Sequence, residues 1–306
     1  MAQCLKATAE AIERAGKTIR EGRLVGFPTE TVYGLGADAT NDRAVASIFE
    51  AKGRPRFNPL IVHVASFEEA EKHCVFNAEA EKLAKAFWPG GVTLVLPRRA
   101  ETPLSLLVSA GLDTVAIRVP AHETARALIE AAKRPLAAPS ANPSGKVSPT
   151  TAAHVMEGLG EAPELALVLD GGACPLGLES TVIGFPQGAP TLLRPGAVAR
   201  EEIEKVLGKK LMDADAASGE EGRASPGQLE SHYAPGSPIR HGLFFVLLPR
   251  ICVTRSISRE RRNSSACTLR KKRVSIFVSA TQSLSINQIK SDFAARQPRL
   301  RAAPGP

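Results

Sequence analysis

Along the first twenty positions, Leu5, Ala9, Ile12, Ala15 and Ile19 recur every three to four residues, a period that predicts an amphipathic helix over 5–21. The period then changes. "RLVGF" (23–27) is a short apolar run that reads as a strand, and "PTETVYGLGA" after it is dense in proline, glycine and hydroxyl side chains and reads as a loop. Asn41 and Asp42 supply a cap ahead of the helical "RAVASIFEAK". "PLIVHVA" (59–65), "VTLVLP" (92–97) and "TVAIRVP" (114–120) predict strands. "EAEKLAKAFWPGG" and "AHETARALIEAAK" predict helices, the first broken at Pro89-Gly90-Gly91. "PLAAPSAN" and "ELALVLDGG" read as strands running into polar loops, "STVIGF" and "PTLLRPG" as further short strands, and "AREEIEKVLGK" as a closing helix. Neighbours spaced like a hairpin, 181–185 and 191–194, argue against a purely parallel sheet. The expected fold over residues 1–207 is therefore one α/β domain: a twisted, mixed parallel and antiparallel sheet flanked by helices.

After residue 207 the pattern fades. Residues 208–238 are rich in Gly, Ser, Ala and Pro and read as a linker. Residues 239–306 change character again. From 241 onward there are ten arginines and nine serines but only two glycines, Gly242 and Gly305. The expectation for this tail is a divergent, basic and poorly ordered region.

Charge modifies the picture once it is located. The net +8 of the 306 residues looks like a nucleic-acid signal. Residues 241–306 carry 13 Lys and Arg against two acids, a net +11, which leaves 26 basic against 29 acidic residues in the body. A mildly acidic body suits a small-molecule enzyme. Apolar content of 43% is ordinary for a globular protein. The charged first twenty residues lack a signal-peptide core, and no run of about 18 apolar residues exists to span a membrane. Five scattered cysteines without CxxC spacing read as reduced thiols. Together these point to a cytoplasmic protein.

Candidate chemistry lies in four places. Lys52, Arg54 and Arg56 stand two apart at a predicted helix end, followed by Asn58 and His63; read alone, they fit a solvated helix end as well as a phosphate-neutralising cluster. "AAPSANPSGKVSPT" (137–150) puts Ser140, Asn142, Ser144 and Ser148 at the carboxyl end of a strand, where open sheets bind ligands and where plain turns also occur. "LDGGACPLGLESTVIGF" (169–185) and Arg194 in "TLLRPGA" repeat that arrangement. Arg118 sits inside an apolar strand and calls for an anion or a structural salt bridge. His63, framed by a strand, would by itself read as a satisfied core histidine. No phosphate loop, GxGxxG, HExxH, GxSxG or metal-spaced Cys/His set is present.

Seven segments in order, "PTETVYGLG", "KGRPRFNPLIVHV", "WPGGVTLVL", "VAIRVP", "PSANPSG", "LESTVI" and "LLRPG", resemble the YrdC-type threonylcarbamoyl-AMP synthase family over roughly residues 8–207. "SPGQLESHYAP" (225–235) is similar to the linker of its longer, two-domain members. The tail departs from their second, Rossmann-like domain. The resemblance implies a YrdC-like fold and condensation of L-threonine, bicarbonate and ATP to threonylcarbamoyl-adenylate with release of pyrophosphate. A downstream tRNA threonylcarbamoyl transferase would then modify adenosine next to the anticodon, with a tRNA contact and magnesium accompanying ATP.

It further implies Lys52, Arg54, Ser140 and Asn142 as the catalytic signature. Thr31, His63, Arg118 and Ser180 would hold threonine, Arg118 at its carboxylate. Arg54, Asn58, Thr114, Ser140, Ser148, Arg194 and, from the linker, Tyr233 would hold ATP. Gly34 and Gly36 would let backbone approach the substrate, and Thr29, Thr31 and Tyr33 would supply hydroxyls beside the amino acid. Two other classes are weighed: an RNA-binding module, through "RKKR", and a carbamoyl-transfer domain of hydrogenase-maturation type, whose acylphosphatase and zinc-finger segments are not seen.

Overall fold

The computed structural model describes residues 1–55 and 57–214; Arg56, Tyr233, most of the predicted linker and the basic tail lie outside them. The order of elements is β1 (Gln3–Lys6), α1 (Ala9–Arg20), β2 (Leu24–Phe27), β3 (Gly34–Asp38), α2 (Asp42–Lys52), β4 (Ile61–His63), α3 (Phe67–Glu71), α4 (Ala78–Phe87), β5 (Val92–Pro97), β6 (Thr114–Arg118), α5 (Glu123–Ala132), β7 (Leu136–Ala137), α6 (Ala152–Leu159), β8 (Leu165–Asp170), β9 (Thr181–Gly184), β10 (Thr191–Arg194), α7 (Arg200–Leu207) and β11 (Met212–Asp213). The strands form an eleven-stranded sheet in the order β1-β8-β2-β3-β7-β4-β6-β5-β9-β10-β11. Five pairings are parallel and five antiparallel, so the expected mixed sheet is the observed one. The hairpin-like neighbours β9 and β10 are indeed antiparallel.

Three expectations need correction. Leu5 and Lys6, read as the start of the first helix, belong to the edge strand β1, and α1 begins behind Thr8, whose Oγ1 accepts from Ala11 N–H at 3.3 Å. "GLGAD", read as loop, is the strand β3. The sheet also reaches into the predicted linker, because Met212–Asp213 pair in parallel with β10.

The strands divide their side chains between two faces, as a period of two requires. On β8, Leu167 and Leu169 meet Ile19 of α1 and Leu128 of α5, while Val168 meets the opposite core, where a register shift in the pairing with β2 also places Leu165. That larger core takes Ile48 of α2, Leu83 of α4, Val155 of α6 and Ile203 of α7. Each fully buried Leu, Ile or Phe in these layers contributes about 1.5–3 kcal/mol relative to exposure. Over β4, β6, β5 and β9 the picture is asymmetric. Val62, Ile117, Leu94 and Ile183 join the large helix-covered core, whereas Ile61, Ala116, Val95 and Val182 form only a small cluster on the other face. His63, Arg118 and Ser180 stand two residues from Ile61, Ala116 and Val182, and so share that second face.

Candidate active site

The site is built from strand ends. β4 and β6 run parallel with His63 opposite Arg118, which puts both residues at one edge of the sheet. Arg118 is 3% exposed and Glu30 9%. Arg118 Nη2 contacts Glu30 Oε1 as a buried ion pair and donates to Thr31 Oγ1 at 3.1 Å; its Nε donates to Gly90 O at 3.0 Å. Glu30 Oε2 accepts from Ala121 N–H at 3.0 Å and His122 N–H at 3.3 Å, in the turn entering α5. Burial alone would raise the Glu30 pKa, but the Arg118 charge and these hydrogen bonds outweigh it and hold it below the usual carboxylate range. The structural salt bridge that the sequence left open for Arg118 therefore exists, and it uses one side of the guanidinium.

His63 is pushed down to about 3, by burial first and the neighbouring Arg118 charge second, so its imidazole is neutral at physiological pH. Its Nδ1 stands 3.3 Å from Ile61 O, an oxygen that can only accept; the proton thus sits on Nδ1 and Nε2 remains an acceptor. The ring also meets the Phe27 edge at 6.3 Å. Phe27 explains the glycines of β3. It pairs with Gly34 across β2 and β3, and a Cβ on Gly34 or Gly36 would come within 3.1 or 2.9 Å of its ring. Gly34 and Gly36 therefore make room for Phe27, and Gly34 also lines the cavity of the site.

Thr29, Thr31, Ser180 and Thr93 form hydroxyl pairs. Thr29 and Thr31 Oγ1 are 2.8 Å apart, and the Thr93 and Ser180 hydroxyls 2.7 Å. Arg194 Nη2 donates to Ser180 O at 2.8 Å and to Ser180 Oγ at 3.1 Å.

The helix α2 delivers the second half of the site. Asn41 Oδ1 caps its start, accepting from the Arg43 and Ala44 N–H groups. Gly53 stops it with φ at 59°, a left-handed conformation that favours glycine, and Arg54 N–H turns back to Phe49 O at 2.9 Å. Lys52 and Arg54 leave this turn in different directions. Lys52 Nζ donates to Ser140 O at 2.6 Å and to Asn142 O. Burial first, and the Arg54 charge second, lower the Lys52 pKa well below that of an ordinary lysine. Arg54 Nη2 donates to Pro59 O at 3.1 Å. Asn142 Nδ2 donates to Pro143 O and Lys146 O, fixing the loop. Ser148 Oγ donates to Glu179 Oε1.

One cavity brings together Thr31, His63, Arg118 and Ser180 with Arg54, Ser140 and Arg194. Lys52, Asn58, Asn142 and Ser148 do not line it, but Lys52 bonds to Ser140 and Asn142, Arg54 to Asn58, and Ser148 to Glu179. Thr114 is not brought to the cavity: it opens β6, four residues and about 13 Å of extended chain before Arg118. Thr29 lines the cavity as expected, whereas Tyr33 does not and donates instead to Gly172 O at 2.7 Å; sequence reading missed Glu179, which lines the cavity, and Glu30, which pairs with Arg118. A lone acid in the hydroxyl-rich "PTET" and a lone arginine in the apolar "VAIRVP" were the available signal for the Glu30 pair. Among the described residues no cluster of three or more His, Cys, Asp or Glu could hold a metal ion. The cavity wall carries one carboxylate, Glu179, beside Arg54, Arg118 and Arg194. No helix among the described residues is long and apolar enough to cross a membrane.

The family profile Sua5_yciO_yrdC, described as telomere recombination, matches residues 17–196. Threonylcarbamoyl-AMP synthase of Pyrococcus abyssi is 51% identical over 230 residues, covering 74% of this chain and 66% of that protein. The Bacillus subtilis protein of the same name is 48% identical over 229 residues, covering 74% and 65%. The chain thus spans just under two thirds of the length of these relatives. The crystal structure of P. abyssi Sua5 complexed with L-threonine superposes with a TM-score of 0.70 at 49% identity, covering 77% of this chain and 68% of that one. Escherichia coli YciO, at 22% identity and a TM-score of 0.60 over 66% of this chain, shares the fold. This chain belongs to the Sua5/YciO/YrdC family.

Proposed function

We propose that this chain is an L-threonylcarbamoyladenylate synthase, an ATP-dependent nucleotidyltransferase that condenses L-threonine, bicarbonate and ATP for threonylcarbamoyl modification of tRNA by a partner transferase. One observation carries the reading: the four residues implied for threonine and three of those implied for ATP line a single cavity. It is supported by relatives that bear the synthase name and by a 49% identical chain solved with L-threonine.

In this reading Arg118 takes the threonine carboxylate through a charge-assisted hydrogen bond. Thr31 and Ser180 offer hydroxyls. His63, being neutral, does not repel the substrate ammonium, and its Nε2 accepts an N–H or O–H. The amino group attacks the bicarbonate carbon, water leaves, and a proton passes to solvent. A carbamate oxygen then attacks the α-phosphorus of ATP and pyrophosphate departs. Both steps need charge stabilisation and alignment rather than a protein nucleophile. Arg54 and Arg194 would stabilise the phosphates, while Lys52 and Asn142 hold the Ser140 loop against them. Magnesium fits as a companion of the triphosphate, with Glu179 as its single protein carboxylate, since Mg²⁺ at phosphates needs only one or two. Bound there, it would neutralise phosphate charge.

The test is pyrophosphate release from ATP by the full chain, omitting threonine and bicarbonate in turn. Release that requires both is expected. RNA binding without any release would put a binding module in its place.

A further inference from the structure

We propose that Glu30 is the positioning residue of the amino-acid end: it fixes which edge of the Arg118 guanidinium is presented to the substrate carboxylate. This rests on the reading of the cavity given above.

The Glu30 carboxylate is surrounded by donors. Oε1 faces Arg118 Nη2, and Oε2 accepts from the Ala121 and His122 N–H groups at 3.0 and 3.3 Å. Only a group that accepts at both ends satisfies this setting; a carboxamide would turn its NH₂ against a donor whichever way it sat. The anchor is rigid, because the two amides belong to the turn entering α5, which packs its buried Leu128 and Ile129 against the sheet. Arg118 is thereby gripped along one side. Nη2 is taken by Glu30 and Thr31 and Nε by Gly90 O, whereas Nη1 has no hydrogen-bond partner within the described residues. Arg118 itself lines the cavity and Glu30 does not. Nη1 is therefore the nitrogen left to meet a ligand carboxylate.

A purely structural salt bridge makes the opposite forecast. Removing the Glu30 charge would leave Arg118 as an uncompensated cation, and a carboxylate ligand would then bind equally well or more tightly. If Glu30 positions Arg118, the loosened guanidinium loses its aim and binding weakens despite the gain in charge.

The experiment is calorimetric titration of L-threonine into the full 306-residue chain, as wild type, Glu30→Gln and Ala121→Pro, with the KM for ATP measured in parallel. Ala121→Pro deletes one N–H that anchors Glu30 and leaves both charges in place, so it decides the matter if Glu30→Gln fails to fold. Glu30→Gln should weaken threonine binding by about tenfold or more and Ala121→Pro by roughly threefold, with the ATP KM changed less than about twofold. Equal or tighter threonine binding by a folded Glu30→Gln, or by Ala121→Pro where only that variant folds, would overturn the inference while leaving the function standing. Absence of threonine binding by the wild type would overturn the function and the inference with it.

Discussion

The two ends of the cavity are built differently. At the amino-acid end, Arg118 is met by Glu30, Thr31 and Gly90, and Ser180 by Thr93 and Arg194, so the side chains of this end hold one another in place. At the other end the buried Lys52 amine donates to two backbone carbonyls and meets no acid among the described residues. Nearby, Asn58 Nδ2 and Asn142 Oδ1 are buried and have no hydrogen-bond partner among the described residues. Buried polar atoms are rarely left in this condition. The contrast teaches that strands drawn from distant parts of the chain complete one half, whereas a single helix end and a loop leave the other electrostatically unfinished, as suits a polyanionic partner.

The sharpest way to break this contrast is Arg118→Met. It strands Glu30 as a buried unpaired charge, with an expected loss of about 3–5 kcal/mol in denaturant unfolding and of threonine binding. A stability change under about 1 kcal/mol would show that the pair is not what completes this end.

Acid should act on the same end. His63 is lowered to about 3 and Glu30 lies below its ordinary value, so the unfolded chain binds protons more readily than the folded one as pH falls. Their stabilisation is full above about pH 6.5, the unfolded histidine value. The His63 share is lost between there and about 3, and the Glu30 share at lower pH as its folded pKa is crossed. Tm should fall along that course, and His63→Gln should flatten the slope between pH 6.5 and 4; an unchanged slope would remove His63 from the account.

At the nucleotide end, Lys52→Met leaves the Ser140 and Asn142 carbonyls without their donor. A loss of about 2 kcal/mol is expected, with the ATP KM raised and threonine binding preserved. Equal damage to both ligands would erase the distinction between the ends.

A purely steric test of the amino-acid end is Gly196→Ala. A Cβ there would stand 2.4 Å from Glu179 O and 2.5 Å from Ser180 C, so the turn must shift by what overpacking demands, about 1–3 kcal/mol. Since Ser180 belongs to the amino-acid end, threonine binding should weaken more than ATP binding.

Much of this was legible in the sequence where one pattern had one cause. β5, β6, β8, β9 and β10 show as apolar runs bounded by turn residues, and Asn41 announced α2. β1 was absorbed into the first helix because Leu5 satisfies a helical period as well as a strand. β3 was hidden by its glycines, whose cause is the Phe27 ring on the neighbouring strand. The short helix α6 follows a turn-rich stretch and the five-residue α3 follows β4 almost directly; neither was read. In the site, lone charges in apolar strands pointed correctly to Arg118, but its partner Glu30 lies 88 residues away and no local spacing reveals it. Thr114 shows the reverse: membership of the right strand does not place a residue at the right end of it.

The central claim is that the amino-acid end is complete before nucleotide arrives. Its most direct test is calorimetric titration of L-threonine into the nucleotide-free full chain. Saturable one-site binding of threonine, absent with L-threoninamide, is predicted. Heat that develops only once ATP is present would contradict it, and would mean that the buried Arg118–Glu30 pair does not by itself form the threonine site.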